Sequence, residues 1–194
     1  MTVAVLFAMP GSVYFSLPGC DVYDEARNAL TFPGGVSVVA HPPCRTWGQL
    51  AQFATKAPPG EHDLAFFAVD TVRECGGVLE HPAASKLWAA ASLPEPGGVD
   101  MFGGFTVEVS QFVFGHRAEK LTRLYVCGCS PHDVPPIPAR VGDPLAVVST
   151  SRRGGAAGGA KAHISKRERL ATPPAFAAWL LELARRCDRQ RAAA

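Results

Sequence analysis

The chain has 194 residues, 47% of them hydrophobic and 19% charged, enough to bury one good core and too few for two large ones, so one α/β domain is expected over residues 1–194. No apolar run approaches the roughly 20 residues that cross a bilayer, and Met1-Thr2-Val3-Ala4 lacks a basic secretion-signal region, which predicts a cytoplasmic protein without a membrane partner. The net charge of +2 is unevenly placed: residues 151–191 carry ten Lys/Arg against three Asp/Glu, and residues 1–150 nine against fourteen. A basic tail of this kind suits a polyanion such as nucleic acid, and it equally suits plain solvation. The six cysteines are spread through varied contexts rather than forming a dense framework, which predicts reduced thiols.

In chain order, Val3 to Ala8 is a short apolar run ended by Pro10-Gly11, the pattern of a strand buried on both faces. Val36 to Ala40 repeats it and stops at Pro42-Pro43. Leu64, Ala65, Ala68, Val69 and Val72 recur at helical spacing between Gly60 and Cys75. Gly76-Gly77 ends that helix, and Val78-Leu79-Glu80 is a further strand cut off by Pro82. Strand, helix and strand joined by short connections make a βαβ unit with a parallel sheet, whose ligands bind at the carboxyl ends of the strands.

Further on, Phe105 to Val109 alternates and Leu124 to Cys127 is apolar, which predicts an antiparallel hairpin around Gly115-His116-Arg117 at one edge of the sheet. Residues 130–144 hold five prolines and read as an irregular loop. A flexible basic linker is expected at about 150–165 and a C-terminal helix at about 173–190, with Thr172 as its N-cap and the prolines in its first turn. The fold class is thus Rossmann-like: a mostly parallel sheet with helices on both faces and the hairpin at one edge.

Two proline-marked loops, 41–46 and 80–85, fall at the carboxyl edge. Pro42-Pro43 stiffens the first and presents Cys44 at a fixed angle, with His41 and Arg45 near enough in sequence to favour a thiolate. Burial of Glu80 would raise its pKa and make it a proton donor, while a solvent-facing Glu80 would pair with Arg45 or Lys86. Trp47 and Trp88 follow the two loops, placed either to stack on a base or to pack beneath them. Asp24 either caps a short helix over 25–30 or, with Asp21, holds a ribose. Two metal sets are conceivable, Cys127 with Cys129 and His132, or His41 with Cys44 and His81; neither is preferred over a metal-free site.

The segment from Val38 to Cys44, the crossover helix, and Gly77-Val78-Leu79-Glu80-His81-Pro82 resemble the catalytic core of DNA cytosine-5 methyltransferases, with their Pro-Cys loop and Glu-Asn-Val strand end. Phe114-Gly115, Lys120 and Arg123 are similar to that family's Gln-x-Arg-x-Arg segment, and Ala171-Thr172-Pro173-Pro174 to its closing motif. The chain also resembles small proteins encoded by bacteriophages, which implies a bacterial host cell. The resemblance implies a pyrimidine C5 methyltransferase-like protein acting on a nucleotide or a DNA base. Cys44 would add to C6, Glu80 would engage N3, and His41, Lys120 and Arg123 would complete the catalytic set. Arg45, Trp47, His81, Ser85 and Arg117 would contact the substrate, and a base in duplex DNA would have to be extruded.

S-adenosylmethionine is the cofactor so implied, held by Phe7, Gly11, Asp21 and Asp24, although Phe7 to Ser12 keeps only Gly11 of the family's glycine-rich loop. The family's target-recognition domain is replaced by residues 129–165. The alternative is a protein that binds or hydrolyses nucleotides without methylating them, for example in countering a host defence.

Overall fold

The computed structural model describes residues 1–148 and 162–187. The apolar runs become β1 (Val3–Leu6) and β3 (Val38–Ala40), every residue of both buried. β2 (Cys20–Tyr23) pairs in parallel with one side of β1, and β3 pairs with the other. The periodic segment forms α1 (Leu64–Cys75), which crosses over to β4 (Gly77–Pro82), parallel to β3. Gly77 has φ +128°, and a Cβ there would run into the backbone of Val38 on the adjacent strand, so only glycine lets β4 start so close to β3.

The short helix α2 (Leu87–Ala90) precedes the hairpin of β5 (Phe105–Ser110) and β6 (Leu121–Cys127). β6 inserts between β4 and β5, antiparallel to both, giving the order β2-β1-β3-β4-β6-β5. The sheet is therefore mostly parallel, and the hairpin stands at one edge as the sequence predicts.

Alternation assigns the faces. Val3, Val5, Val39, Val78, Leu124 and Val126 point to one side, while Ala4, Leu6, Val38, Ala40, Leu79, Tyr125 and Cys127 point to the other. α1 covers the second side with Ala65, Ala68, Val69 and Val72. The first is covered by α4 (Pro174–Arg186), whose Phe176, Leu180, Leu183 and Ala184 recur at the spacing of one helical face. Each large side chain so buried contributes about 1.5–3 kcal/mol. A small separate cluster of Ala118, Ala146 and Ile164 joins β7 (Ala146–Val147), its parallel partner β8 (Ala162–His163) and α3 (Lys166–Leu170) to the body.

Four local expectations change. Residues 25–30 are not a helix. The Asp24 carboxylate accepts from the N–H groups of Ala26 and Arg27, closing a turn, and a 3-10 turn over Ala29–Thr31 starts on the Asn28 side chain instead. Pro173, not Thr172, occupies the N-cap of α4, with Pro174 in the first turn. Strand β4 runs two residues past Glu80. The expected linker is shorter, because Ala162 and His163 pair as β8 and Ser165 caps α3; its stretch from 149 to 161, like the end of the expected helix at 188–190, lies outside the described residues.

Candidate active site at the carboxyl edge of the sheet

The connection from β1 runs to β2 on one side and that from β3 runs to β4 on the other, so chain directions diverge between β1 and β3. In such a sheet a crevice opens beyond the carboxyl ends of β1 and β3. The loop after β1 leads to a 3-10 turn over Val13–Ser16, which delivers Tyr14. The loop after β3 delivers His41, whose own N–H donates to the carbonyl of Leu6 at 3.0 Å. β4 supplies Glu80, β6 supplies Thr122, and the turn after β5 supplies Gln111.

These five side chains form one chain of hydrogen bonds. The Tyr14 hydroxyl lies 2.9 Å from His41 Nε2, and His41 Nδ1 lies 3.0 Å from Glu80 Oε2. Glu80 Oε1 accepts from the Thr122 hydroxyl at 3.0 Å and from the Gln111 amide at 3.2 Å, and Gln111 also donates to Thr122 at 3.0 Å. Because His41 Nδ1 serves an ionised acceptor, it carries a proton, and Nε2 is the atom that faces the Tyr14 hydroxyl.

The carboxylate at the centre departs from the sequence expectation. Burial pushes the Glu80 pKa up, but the His41 hydrogen bond, the Lys120 ammonium, and the charges of His41 and His81 together outweigh it and set the value at about 2. Glu80 is an anion at neutral pH, not a proton donor. Three of its roughly four acceptor positions are filled, leaving one on Oε2.

Cys44 stands beside this anion. Its thiol is pushed up first by burial and then by Glu80, against the lowering effect of Lys120, a backbone hydrogen bond and Arg169. The cations that act on it are thus Lys120 and Arg169, in place of the expected His41 and Arg45. His41 is committed to Tyr14 and Glu80, and Arg45 is paired with Glu61 at 2.7 Å.

The other candidates lie elsewhere. Parity on β6 turns Thr122 toward Glu80 and Arg123 to the opposite face, where Glu95 and Glu108 each hold the guanidinium at 2.9 Å. His81 is likewise on the α1 side, fully buried and edge-on to Trp88, with a pKa pushed down to about 4 mainly by burial. Trp47 is buried and stacks on His62 at 3.8 Å, while Trp88 donates its indole N–H to the Pro82 carbonyl. Both pack under their loops. Ser85 accepts from the N–H of Leu87 at the start of α2, and Arg117 is held by Glu168 at 2.6 Å.

The proposed cofactor residues lie along the paired strands β1 and β2 and the loops that follow them. Phe7 adopts φ +61°, unusual for a non-glycine residue, and its ring meets Phe67 edge-on. Gly11 has φ +69°, which its turn requires, and a Cβ there would enter open space. Asp21 is held by both terminal nitrogens of Arg27, and Asp24 closes the turn described above. Neither metal set assembles: His81 faces away from His41, Cys127 donates to the carbonyl of Phe102, and Cys129 lies against Cys187. Among the described residues no three His, Cys, Asp or Glu side chains are grouped to hold a metal.

Tyr14, Gln111, Thr122 and Arg169 are the site residues that the sequence does not announce. Only Thr122 had a legible signal, since it shares strand parity with Leu124 and Val126. No family model matches the chain, and no curated protein matches it.

Proposed function

We propose that this edge binds a pyrimidine nucleotide, with Cys44 adding reversibly to C6 and the Glu80 carboxylate accepting an N–H from the Watson–Crick edge of the base. The observation that carries the reading is the meeting of a half-buried thiol and a pre-ionised carboxylate at the divergence point of the sheet, with Lys120 and Arg169 as the cations acting on the thiol. The vacant acceptor position on Oε2 matches N3–H of uracil or the 4-amino group of cytosine. The resemblance to cytosine-5 methyltransferases supports the same pair of roles.

In this step the S–H of Cys44 adds across the C5=C6 bond. Sulfur bonds to C6, and C5 takes the proton. Elimination breaks S–C6, removes a proton from C5 and regenerates the thiol, so the pyrimidine is returned with its C5 hydrogen exchanged for one from solvent. Asp21 is bound to Arg27, Asp24 closes its own turn and Phe7 meets Phe67, so the reading rests on the thiol and carboxylate alone and no methyl transfer is derived.

The test is proton NMR of dCMP and dUMP in D2O with the protein present. We expect loss of the H5 signal, absent with Cys44→Ala and at least about 100-fold slower with Glu80→Gln. Binding without exchange would take the nucleophile role from Cys44 and leave a binding module; a failure to bind either nucleotide would remove the reading. A rise in thermal midpoint with millimolar S-adenosylmethionine would restore methyl transfer.

A further inference from the structure

At the opposite end of β6 from the candidate site, Gly128 leads into Cys129, and the α4 helix ends on Cys187 as its C-cap. The two sulfurs are 2.7 Å apart across 58 residues of sequence. A disulfide requires about 2.05 Å, so closing the bond needs a movement of about 0.6–0.7 Å. Both partners sit on fixed elements: Cys187 is fully buried under the sheet, and Cys129 packs against the same core. Cys129 also reaches solvent, through a shallow cleft lined by Phe102, Gly103, Ser130 and Pro131.

The surroundings divide the roles of the two sulfurs. The hydrogen bond with Cys187 lowers the Cys129 pKa; burial and the Asp133 carboxylate raise it, and the Arg186 guanidinium, anchored on the Asp133 carbonyl at 3.0 Å, lowers it again. Cys187 is pushed strongly upward by the same hydrogen bond and by burial. An accessible thiol of thiolate character beside a buried one is the arrangement of an attacking and a resolving cysteine.

We propose that Cys129 and Cys187 are a redox-active pair that takes low-molecular-weight disulfides as co-reactant and closes an internal disulfide between β6 and α4. The Cys129 thiolate attacks one sulfur of glutathione disulfide and expels one glutathione thiolate. Cys187 then loses its proton, attacks the Cys129 sulfur of the mixed disulfide and expels the second. Two protein thiols are oxidised, and one glutathione disulfide is reduced to two glutathiones. This pair stands apart from Cys44 and does not depend on the nucleotide reading.

The experiment incubates the folded, full-length protein with about a tenfold excess of glutathione disulfide, followed by alkylation of free thiols, intact mass and non-reducing peptide mapping. The expected result is a loss of about 2 Da, a cross-linked Cys129–Cys187 peptide, and a thermal midpoint raised by about 5 °C or more and returned by reductant. Cys20, Cys44, Cys75 and Cys127 should remain alkylatable. Cys187→Ala should stop at a stable glutathione adduct on Cys129, and Cys129→Ala should give neither product. A wild-type protein that holds glutathione without the cross-link, that cross-links other cysteines, or that keeps all six thiols would overturn the proposal, and none of those readings requires a variant to fold.

Discussion

The two faces of the sheet carry polar networks of opposite character at nearly the same level of β4 and β6. On the α1 face the charged groups of the network around Arg73 and Arg123 are paired with carboxylates. The Tyr125 hydroxyl donates to Asp100 at 2.7 Å and accepts from Arg73 at 3.2 Å, Arg73 lies 3.5 Å from Asp100, and Arg123 is held between Glu95 and Glu108. On the α4 face Glu80 has three hydrogen-bond donors, none of them a permanent cation, and Cys44 stands beside it. A network balanced within itself clamps a fold. One that fixes an ionised carboxylate next to a thiol and leaves an acceptor position open is the arrangement on which the proposed nucleotide site rests.

The largest break in that contrast is Glu80→Ala. It strands His41, Gln111 and Thr122 without their shared acceptor, so unfolding in denaturant should show a loss of about 3 kcal/mol, and C5 exchange should vanish. Gly104→Ala attacks the other face. A Cβ at position 104 collides with the buried ring of Tyr125, whose hydroxyl is already fixed by Asp100 and Arg73, and a loss of about 3 kcal/mol is expected. Here exchange per folded molecule should be retained. If Gly104→Ala lowered both measurements together, the two networks would not be separable.

Acid should separate them by pH. Buried His81 has a folded pKa of about 4 against an ordinary 6.5, so its contribution is complete above pH 6.5 and fades as pH falls through 4. Glu80, at about 2 against 4.5, contributes fully above pH 4.5 and fades as pH falls through 2. The Glu80 shift corresponds to about 3 kcal/mol. Stability measured against pH should fall in two successive windows, the upper one missing in His81→Gln and the lower one in Glu80→Gln. Tyr14→Phe should cost about 1 kcal/mol, since one hydrogen bond is lost while the ring still packs. Because Tyr14 holds the Nε2 side of the ring whose Nδ1 serves Glu80, the pH profile of exchange should move in this variant, a change that lost packing alone would not produce.

How much of this could be read from the sequence depends on the range of the cause. The apolar runs of β1 and β3, the spacing of α1 and the prolines after β3 are local signals, and they placed the sheet edge and brought His41, Cys44 and Glu80 to it. The protonation of Glu80 is not local: it depends on His41 and Lys120, which lie 39 and 40 residues away. β7 and β8 were missed for the same reason, since two-residue strands exist only through the contact of Ala118 with Ala146 and the pairing with each other, whereas α3 carried a local signal, the capping box of Ser165 and Glu168. Arg123 was misjudged by parity, because the apolar run from Leu124 hid the start of β6 at Leu121, and with it the alternation that turns residue 122 inward and residue 123 away.

Arg123 and Lys120 therefore offer the smallest but most discriminating measurement. Both come from the same Arg/Lys-rich segment, three residues apart. Arg123 is bound to two carboxylates that are 75% and 40% exposed, a setting in which an ion pair contributes from nothing to about 1 kcal/mol. Arg123→Ala should thus change stability by less than about 1 kcal/mol and leave exchange unaltered. Lys120 is one of the two cations acting on Cys44 and also lowers the pKa of Glu80, so Lys120→Ala should be just as mild in stability yet slow exchange about tenfold, with the Cys44 thiol titrating higher by alkylation rate. The opposite result, exchange lost with Arg123→Ala and kept with Lys120→Ala, would place the chemistry on the α1 face and sink the assignment of Glu80 and Cys44 to a common site.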